Sequence, residues 1–384
     1  MPTADPLAFT SQPAGPGPVP TSSRWIFSRR TDLVVFGGTA VLALALAVVG
    51  EHTRLARVHF PTWAWIVFVV FVDVAHVWST LFRVYLDPVE LARRPWLYFG
   101  APLAAYLAGV ALCSHSQGLF WSVLAYVAVF HFVRQQYGWV AIYRRLEGTR
   151  AGGRADAWLD TFAVYVATLY PLAYWHAHLP RAFHWFVDDD FVVGLAGRVA
   201  DVGVYVYASV LGAWAARSVW RWVAARVAPG GRALVLVTTA LCWYVGIVGY
   251  DSDWSFTVTN VLIHGVPYMV LLWLYSKRRF VGVRAPVQIG PAHAVLRVGG
   301  VLAFLALLWA LAWVEEGWWD VLFWHERPWM TFGWRLDVDD RVIAWVMPLL
   351  TVPQATHYVL DGWIWRAGRD NPELLRDLGF VGAR

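Results

Sequence analysis

Charge is scarce in this chain. Of its 384 residues, 15% are Asp, Glu, Lys or Arg, 59% are hydrophobic, and Lys277 is the only lysine. A soluble domain of ordinary composition carries about 25% charged residues, so the chain does not read as one. Cysteine is nearly missing as well. Cys113 and Cys242 lie in apolar surroundings and form no CxxC pair, which excludes a disulfide framework and a thiolate metal site. There is no P-loop, no CxxCH haem-attachment motif, and no HxxxH or HxxHH box of the desaturase and hydroxylase kind. Nor is there a repeat of roughly 20–50 residues. The net charge of +5 comes from Arg clusters between apolar runs. Such clusters report orientation in a membrane, and they give no sign of a nucleic-acid partner.

What the chain does have is a succession of apolar runs of about 18 residues or more. They predict an all-α, polytopic membrane helix bundle with about ten transmembrane helices. The expected helices are Leu33–Gly50, Thr62–Phe82, Trp96–Cys113, Leu119–Tyr143, Trp158–Leu179, Val199–Trp220, Ala233–Tyr250, Ser255–Ser276, Ala294–Val314 and Val342–Trp365. Residues 1–32, rich in Pro, Gly, Ser and Thr, are expected to be disordered. The bundle then occupies 33–366, and 367–384 form a short cytoplasmic tail. Arg29 and Arg30 read as an inside anchor for the first span, not as a cleaved signal.

Every second connection is Arg-rich: Arg83/Arg93/Arg94, Arg144/Arg145/Arg150/Arg154, Arg217/Arg221/Arg226/Arg232 and Lys277/Arg278/Arg279/Arg284. The others are neutral or acidic, as in "VDDD" (187–190), "DSD" (251–253) and "EEGWWD" (315–320). This alternation places both termini in the cytoplasm and suits a bacterial inner membrane. Arg54 and Arg57 weaken the contrast slightly. Arg83 and Arg366, at cytoplasmic ends, read as snorkelling anchors. Many of the 26 Trp residues fall near helix ends, as interfacial belts do, and 315–334 reads as an outer interfacial segment.

Four histidines fall well inside spans: His76, His131, His264 and His357. They lie about 14, 12, 9 and 15 residues from the outer starts of their helices, which at 1.5 Å per residue is one layer roughly 14 to 23 Å deep. Each has polar company one turn away. His76 has Asp73 at i−3 with Ser79 and Thr80 beyond it, and His131 has Arg134 and Gln135. His264 has Asn260 and Tyr268, and His357 has Asp361 at i+4. A charged residue at mid-span costs on the order of 2.5–3.5 kcal/mol on insertion scales, so these groups point to a function. The expected site is a metal centre with the four histidines as ligands. Asp73 and Asp361 orient or relay, while Gln135, Asn260 and Tyr268 line the cavity. A second cluster, His176, His178 and His184, falls at the outer end of the fifth helix, where interfacial His beside Trp is the commoner meaning.

Neutral imidazoles from several helices suit iron, copper or zinc. Iron in an apolar cavity suits oxygen chemistry on a lipid or isoprenoid substrate, which makes the expected function that of a membrane-embedded oxidoreductase. Two other readings use the same residues. Paired histidines on facing helices can ligate haem. Intramembrane His and Asp can also relay protons in a coupled transporter, although the polar residues do not follow a five-plus-five inverted repeat.

"IHGVPYM", "FHFVRQQ" and "THYVLDGWIWR" resemble the His-bearing helices of the Brp/Blh family of bacterial membrane carotenoid-cleaving dioxygenases. His131–Phe132 resembles the family's Ile-His-Phe stretch, His264 the start of its His-x3-His helix, and His357 with Asp361 its late His followed by Asp. The resemblance implies a multi-helix membrane protein with histidine-bound iron that splits β-carotene to retinal. Tyr268 stands where the second His of His-x3-His would be, His76 has no Pro-His-Gly context, and the family is shorter by several helices.

Overall fold

The computed structural model describes residues 23–53, 55–57, 60–281, 285–366, 371 and 373–379. Among these the chain is helical, with no strand. The main helices are α1 (Arg29–His52), α2 (Thr62–Arg83), α3 (Pro88–Arg93), α4 (Pro95–His115) and α5 (Gln117–Ala151). They continue as α6 (Arg154–Ala177), α7 (Gly197–Val223), α8 (Gly231–Gly249), α9 (Asp253–Phe280) and α10 (Gly290–Trp324). The last are α11 (Asp340–Leu350), α12 (Val352–Ile364) and α13 (Leu374–Asp377).

Polar caps start several of them. Ser116 accepts from the Leu119 N–H and Ser252 from the Ser255 N–H, while Asp87 caps α3 with Pro88 in its first turn. These bonds satisfy backbone donors that a helix start leaves without partners.

A helix lies at each of the ten expected positions, but among the described residues eight helices are long and apolar enough to cross a membrane. The fifth expected span, α6, has the length, but its Tyr, Thr, Trp and His content leaves it less apolar. The tenth is broken at Thr351 into α11 and α12, between Pro348 and Pro353. A proline lacks the N–H that would continue the ladder.

Three further expectations need correction. First, order begins before residue 33. The Asp32 carboxylate accepts from the N–H groups of Ile26 at 2.7 Å and Phe27 at 3.0 Å, and from Tyr143 Oη at 2.6 Å, which ties 23–32 to α5. The rest of the expected disordered segment, 1–22, lies outside the described residues, as do Arg54, Arg284 and most of the expected tail. Second, 315–324 do not form a separate segment: α10 runs on through Glu315, Glu316 and Asp320 to Trp324. Third, Arg83 does not reach outward. It is buried, pairs with Glu90 at 3.0 Å and donates to the Ile364 carbonyl at 3.1 Å. Cys113 and Cys242 are buried and unpaired.

Helix α9 is the axis of the bundle. Buried residues make up 78% of its most apolar stretch, against 11% for α7. A helix enclosed on all sides has no solvent or lipid face, so its polar residues must be satisfied by neighbouring helices. Helix α2 packs closely against it because Gly265 lacks a side chain. A Cβ there would stand 2.8 Å from Val72 Cγ1 and 3.1 Å from the Val72 carbonyl oxygen. Over Trp65–Val74 the α2 backbone is wound as a π-helix, and regular α-helix resumes at Ala75, just before His76. Such wide turns recur at functional sites because they shift the phase of the side chains that follow.

Gly265→Ala is expected to separate α2 from α9 and destabilise the bundle by about 1–3 kcal/mol, the usual penalty of overpacking. Thermal unfolding in detergent measures it. A melting temperature equal to wild type would contradict the close approach.

Candidate metal centre

Helices α2, α5, α9 and α12 each contribute one histidine. The rings of His76, His131, His264 and His357 are 1%, 4%, 0% and 1% exposed. One nitrogen from each lies within 4.8 Å of the others. Among the described residues this is the one group of three or more His, Cys, Asp or Glu side chains so arranged. Imidazoles bind a zinc-like ion at about 2.0–2.1 Å, which sets ligand nitrogens roughly 3–4 Å apart. The limit of 4.8 Å lies somewhat above that spacing, so a bound ion would draw the rings slightly together.

The hydrogen bonds indicate which nitrogens face inward. His76 Nε2 and His264 Nε2 are 3.0 Å apart, and His131 Nε2 and His357 Nε2 have no partner although buried. The other nitrogen of His357, Nδ1, is 2.8 Å from Thr80 Oγ1 on α2. His76 Nδ1 lies 3.6 Å from Asp73 Oδ1, longer than a hydrogen bond but close enough to set the ring's orientation electrostatically. The His264 ring lies flat on Phe132, with centroids 3.5 Å apart and planes 5° from parallel. A ligand imidazole needs its second nitrogen held; Thr80 does this for His357, and Phe132 fixes the plane of His264.

The expected supporting residues separate into two groups. Asp361 is 3.9 Å from His357 Nδ1, so it does not hold that nitrogen. Thr80 does, and the Asp361 carboxylate instead accepts from Tyr268 Oη and, at 3.3 Å, from Trp365 Nε1. Gln135 lies in a cavity of about 520 Å³, and neither its amide nitrogen nor its oxygen has a partner. His131, Tyr268, Tyr358 and Asp361 line the same cavity beside the apolar walls Tyr137, Trp139 and Leu271. Asn260 faces a different cavity, of about 710 Å³, with Asp73. Its Nδ2 donates to the Phe256 carbonyl at 2.9 Å and its Oδ1 is free of partners, so it does not hold His264. Arg134 turns outward to Tyr165 Oη and the face of Tyr137. The two cavities approach the histidines from opposite ends of the bundle, and Tyr358 lines both.

Sequence reasoning did not single out three contributors: Thr80 as the partner of His357, Phe132 as the plate under His264, and the Glu315–Glu316 pair in the larger cavity. Thr80 sits one turn beyond His76 and was visible as its neighbour; its bond to another helix was not. His176, His178 and His184 do not assemble. His176 Nε2 bonds Tyr126 Oη at 2.9 Å, His178 Nδ1 meets the Tyr174 carbonyl at 2.7 Å, and His184 pairs with Asp188 at 3.0 Å.

The fold and this cluster define a multi-pass helical protein with a buried four-histidine centre. No family model matches the chain, and no curated protein or solved structure compared with it matches either.

Tyr268→Phe would leave the buried Asp361 carboxylate with Trp365 as its remaining partner. The expected loss is about 1–3 kcal/mol, the penalty for a buried acceptor that loses its donor. Denaturation of metal-free protein reads this without reference to any activity, and an unchanged midpoint would mean that the tyrosine–carboxylate bond contributes nothing.

Proposed function

We propose that this protein is a metal-dependent oxidoreductase of a bacterial inner membrane. It crosses the bilayer ten times with both termini in the cytoplasm, and it acts on a lipid or isoprenoid-type substrate. His76, His131, His264 and His357 hold one ion, with iron favoured. The observation that carries this reading is the gathering of four buried imidazole nitrogens, one from each of four helices, within 4.8 Å. Nitrogen ligands of this type suit iron, copper or zinc. An iron ion bound there would supply redox chemistry with dioxygen.

The chain's own residues supply the rest. The cavity of about 520 Å³ reaches His131 and opens past Phe130, whose ring is exposed on the flank of α5, so an apolar molecule can arrive sideways from lipid. Trp139, Tyr137 and Leu271 pack against its chain. Gln135, with both amide atoms unpartnered, is placed to orient it. Asp361, held by Tyr268 and Trp365, is placed to accept or return a proton near His357. A greasy substrate beside histidine-bound iron also agrees with the resemblance to the Brp/Blh dioxygenases. Neighbouring imidazole rings have centroids 4.6, 5.0, 5.1 and 4.6 Å apart around the cluster, which leaves no plane between two of them for a porphyrin and favours a bare ion over haem.

Transport keeps one supporting observation, that cavities from both ends approach the same layer. Elemental analysis separates the two. Detergent-purified wild type is expected to carry about one ion per chain, and His131→Ala and His357→Ala to lose most of it, as removal of a ligand does. Wild type without stoichiometric metal would end the oxidoreductase reading and leave transport. Full occupancy in both variants would remove the ligand assignment.

Thr80→Val keeps the shape of the side chain and removes the partner of His357 Nδ1. Metal affinity is expected to fall about 10–100-fold, read by competition with a chelator. An unchanged affinity would show that Thr80 does not orient the ligand.

A further inference from the structure

The four histidines are buried, so an ion reaches them only along a cavity. The larger cavity begins at the exposed end of the bundle, where the Asp188 side chain is 95% exposed and that of His184 47%. It is lined inward by Asp253, Glu315, Glu316 and finally Asp73, next to His76. Glu315, Glu316 and Asp73 lie within electrostatic reach of one another. Opposing them, Arg327 lines the same cavity, but its guanidinium lies 4.0 Å over Trp65 and pairs with Glu326 at 3.2 Å. Glu315 has one neutral donor, Trp78 Nε1, at 2.6 Å.

Acidic groups alone would not identify a ligand. The independent observation is Asn260. This residue is 2% exposed, faces the acid-lined cavity, and leaves its Oδ1 without a donor. A buried carbonyl oxygen without a donor, beside carboxylates, is an oxygen set suited to a cation. Asp73 lines this cavity, and the buried, unpartnered Nδ1 of His76 lies 3.6 Å behind its Oδ1.

We propose that this cavity is the loading route for the metal: a divalent cation enters past Asp188, is handed along Glu315, Glu316 and the Asn260 carbonyl to Asp73, and passes to the four imidazoles. The oxygens bind in transit and the nitrogens bind at the end. First-row ions of the iron group prefer imidazole to carbonyl and carboxylate ligands, so the transfer runs downhill. Nothing is oxidised or reduced in the movement. The route leaves the apolar cavity on the opposite side free for substrate, so loading and turnover do not compete for one opening. The inference rests on the metal-centre reading.

The test uses full-length, detergent-purified protein stripped with a chelator and mixed with Co²⁺ alone. Uptake is followed by the ligand-field absorbance of the nitrogen-bound ion and by elemental analysis after desalting. Glu315→Gln/Glu316→Gln is expected to load at least about tenfold more slowly than wild type, within the range of electrostatic focusing in charged clefts, and to reach the same final occupancy. Added salt should slow wild type and leave the double variant little changed. Asp188→Asn, at the exposed mouth where folding is not at stake, should slow loading about two- to threefold, as loss of one steering charge does.

Equal rates in wild type and both variants, at full occupancy, would overturn the route while leaving the metal centre standing. A double variant that folds, by its thermal melt, yet ends at low occupancy would also overturn it, because the acids would then be part of the final site. Wild type that takes up no Co²⁺ and no Fe²⁺ would overturn the route and the metal centre together.

Discussion

A histidine ring buried in an apolar bundle must find something for each of its two nitrogens, and in this protein that requirement organises the middle of the fold. Leaving a buried polar group unpaired costs about 1–3 kcal/mol. His357 meets the requirement with Thr80 on one side, and His264 lays its face on Phe132. What remains after these local solutions is a set of ring nitrogens pointing at one another, two of them with no protein partner. Four helices converging on such an arrangement is costly unless something else fills the centre. The cation proposed here would do so for all four at once, and the same free-energy gain would then hold α2, α5, α9 and α12 together.

The convergence depends on backbone features that carry no charge. Helix α9 can stand at the centre because its polar residues, Asn260, His264 and Tyr268, all have neighbours on other helices or on their own backbone, and because Gly265 lets α2 approach. The π-helical turns of Trp65–Val74 end immediately before His76. Asp73 shares a face with His76 by its i−3 spacing, while the wide turns before Ala75 set which neighbours the rest of α2 meets. Geometry of this kind arises from packing between helices, and local preference does not encode it.

That distinction accounts for what could be read from the chain directly. The helices were legible because long apolar runs bounded by arginine, proline and glycine have few alternative meanings. The four histidines were legible because depth along a helix follows from counting. Partners along one helix were only half legible: Asp73 does sit by His76, but Asp361 turns to Tyr268 and leaves His357 to Thr80. Spacing shows which residues share a face and is silent about which neighbouring helix reaches that face first. Glu315 and Glu316 were misplaced for a related reason. A pair of glutamates at the end of an apolar run looks like the start of a loop, until another helix supplies a donor such as Trp78 Nε1 and lets α10 continue through them. The break at Thr351 had its signal in plain view, in Pro348 and Pro353.

The two cavities differ in chemistry as sharply as they differ in position, and the difference follows from what surrounds each. On the side of Gln135 and Asp361 the walls are mainly aromatic and aliphatic, and the charged lining is mostly cationic, from Arg134, Arg145 and Arg366. On the side of Asn260 and Asp73 carboxylates recur from the exposed mouth to the inner end. An apolar molecule would strip water from the acids of the second cavity without repaying their hydration. A cation would meet the three arginines of the first. The two linings therefore suit different molecules, and Tyr358 belongs to both. On the proposed function, the centre would be reached by a greasy molecule from one side and by ions from the other, and would bring together reactants that share no common solvent.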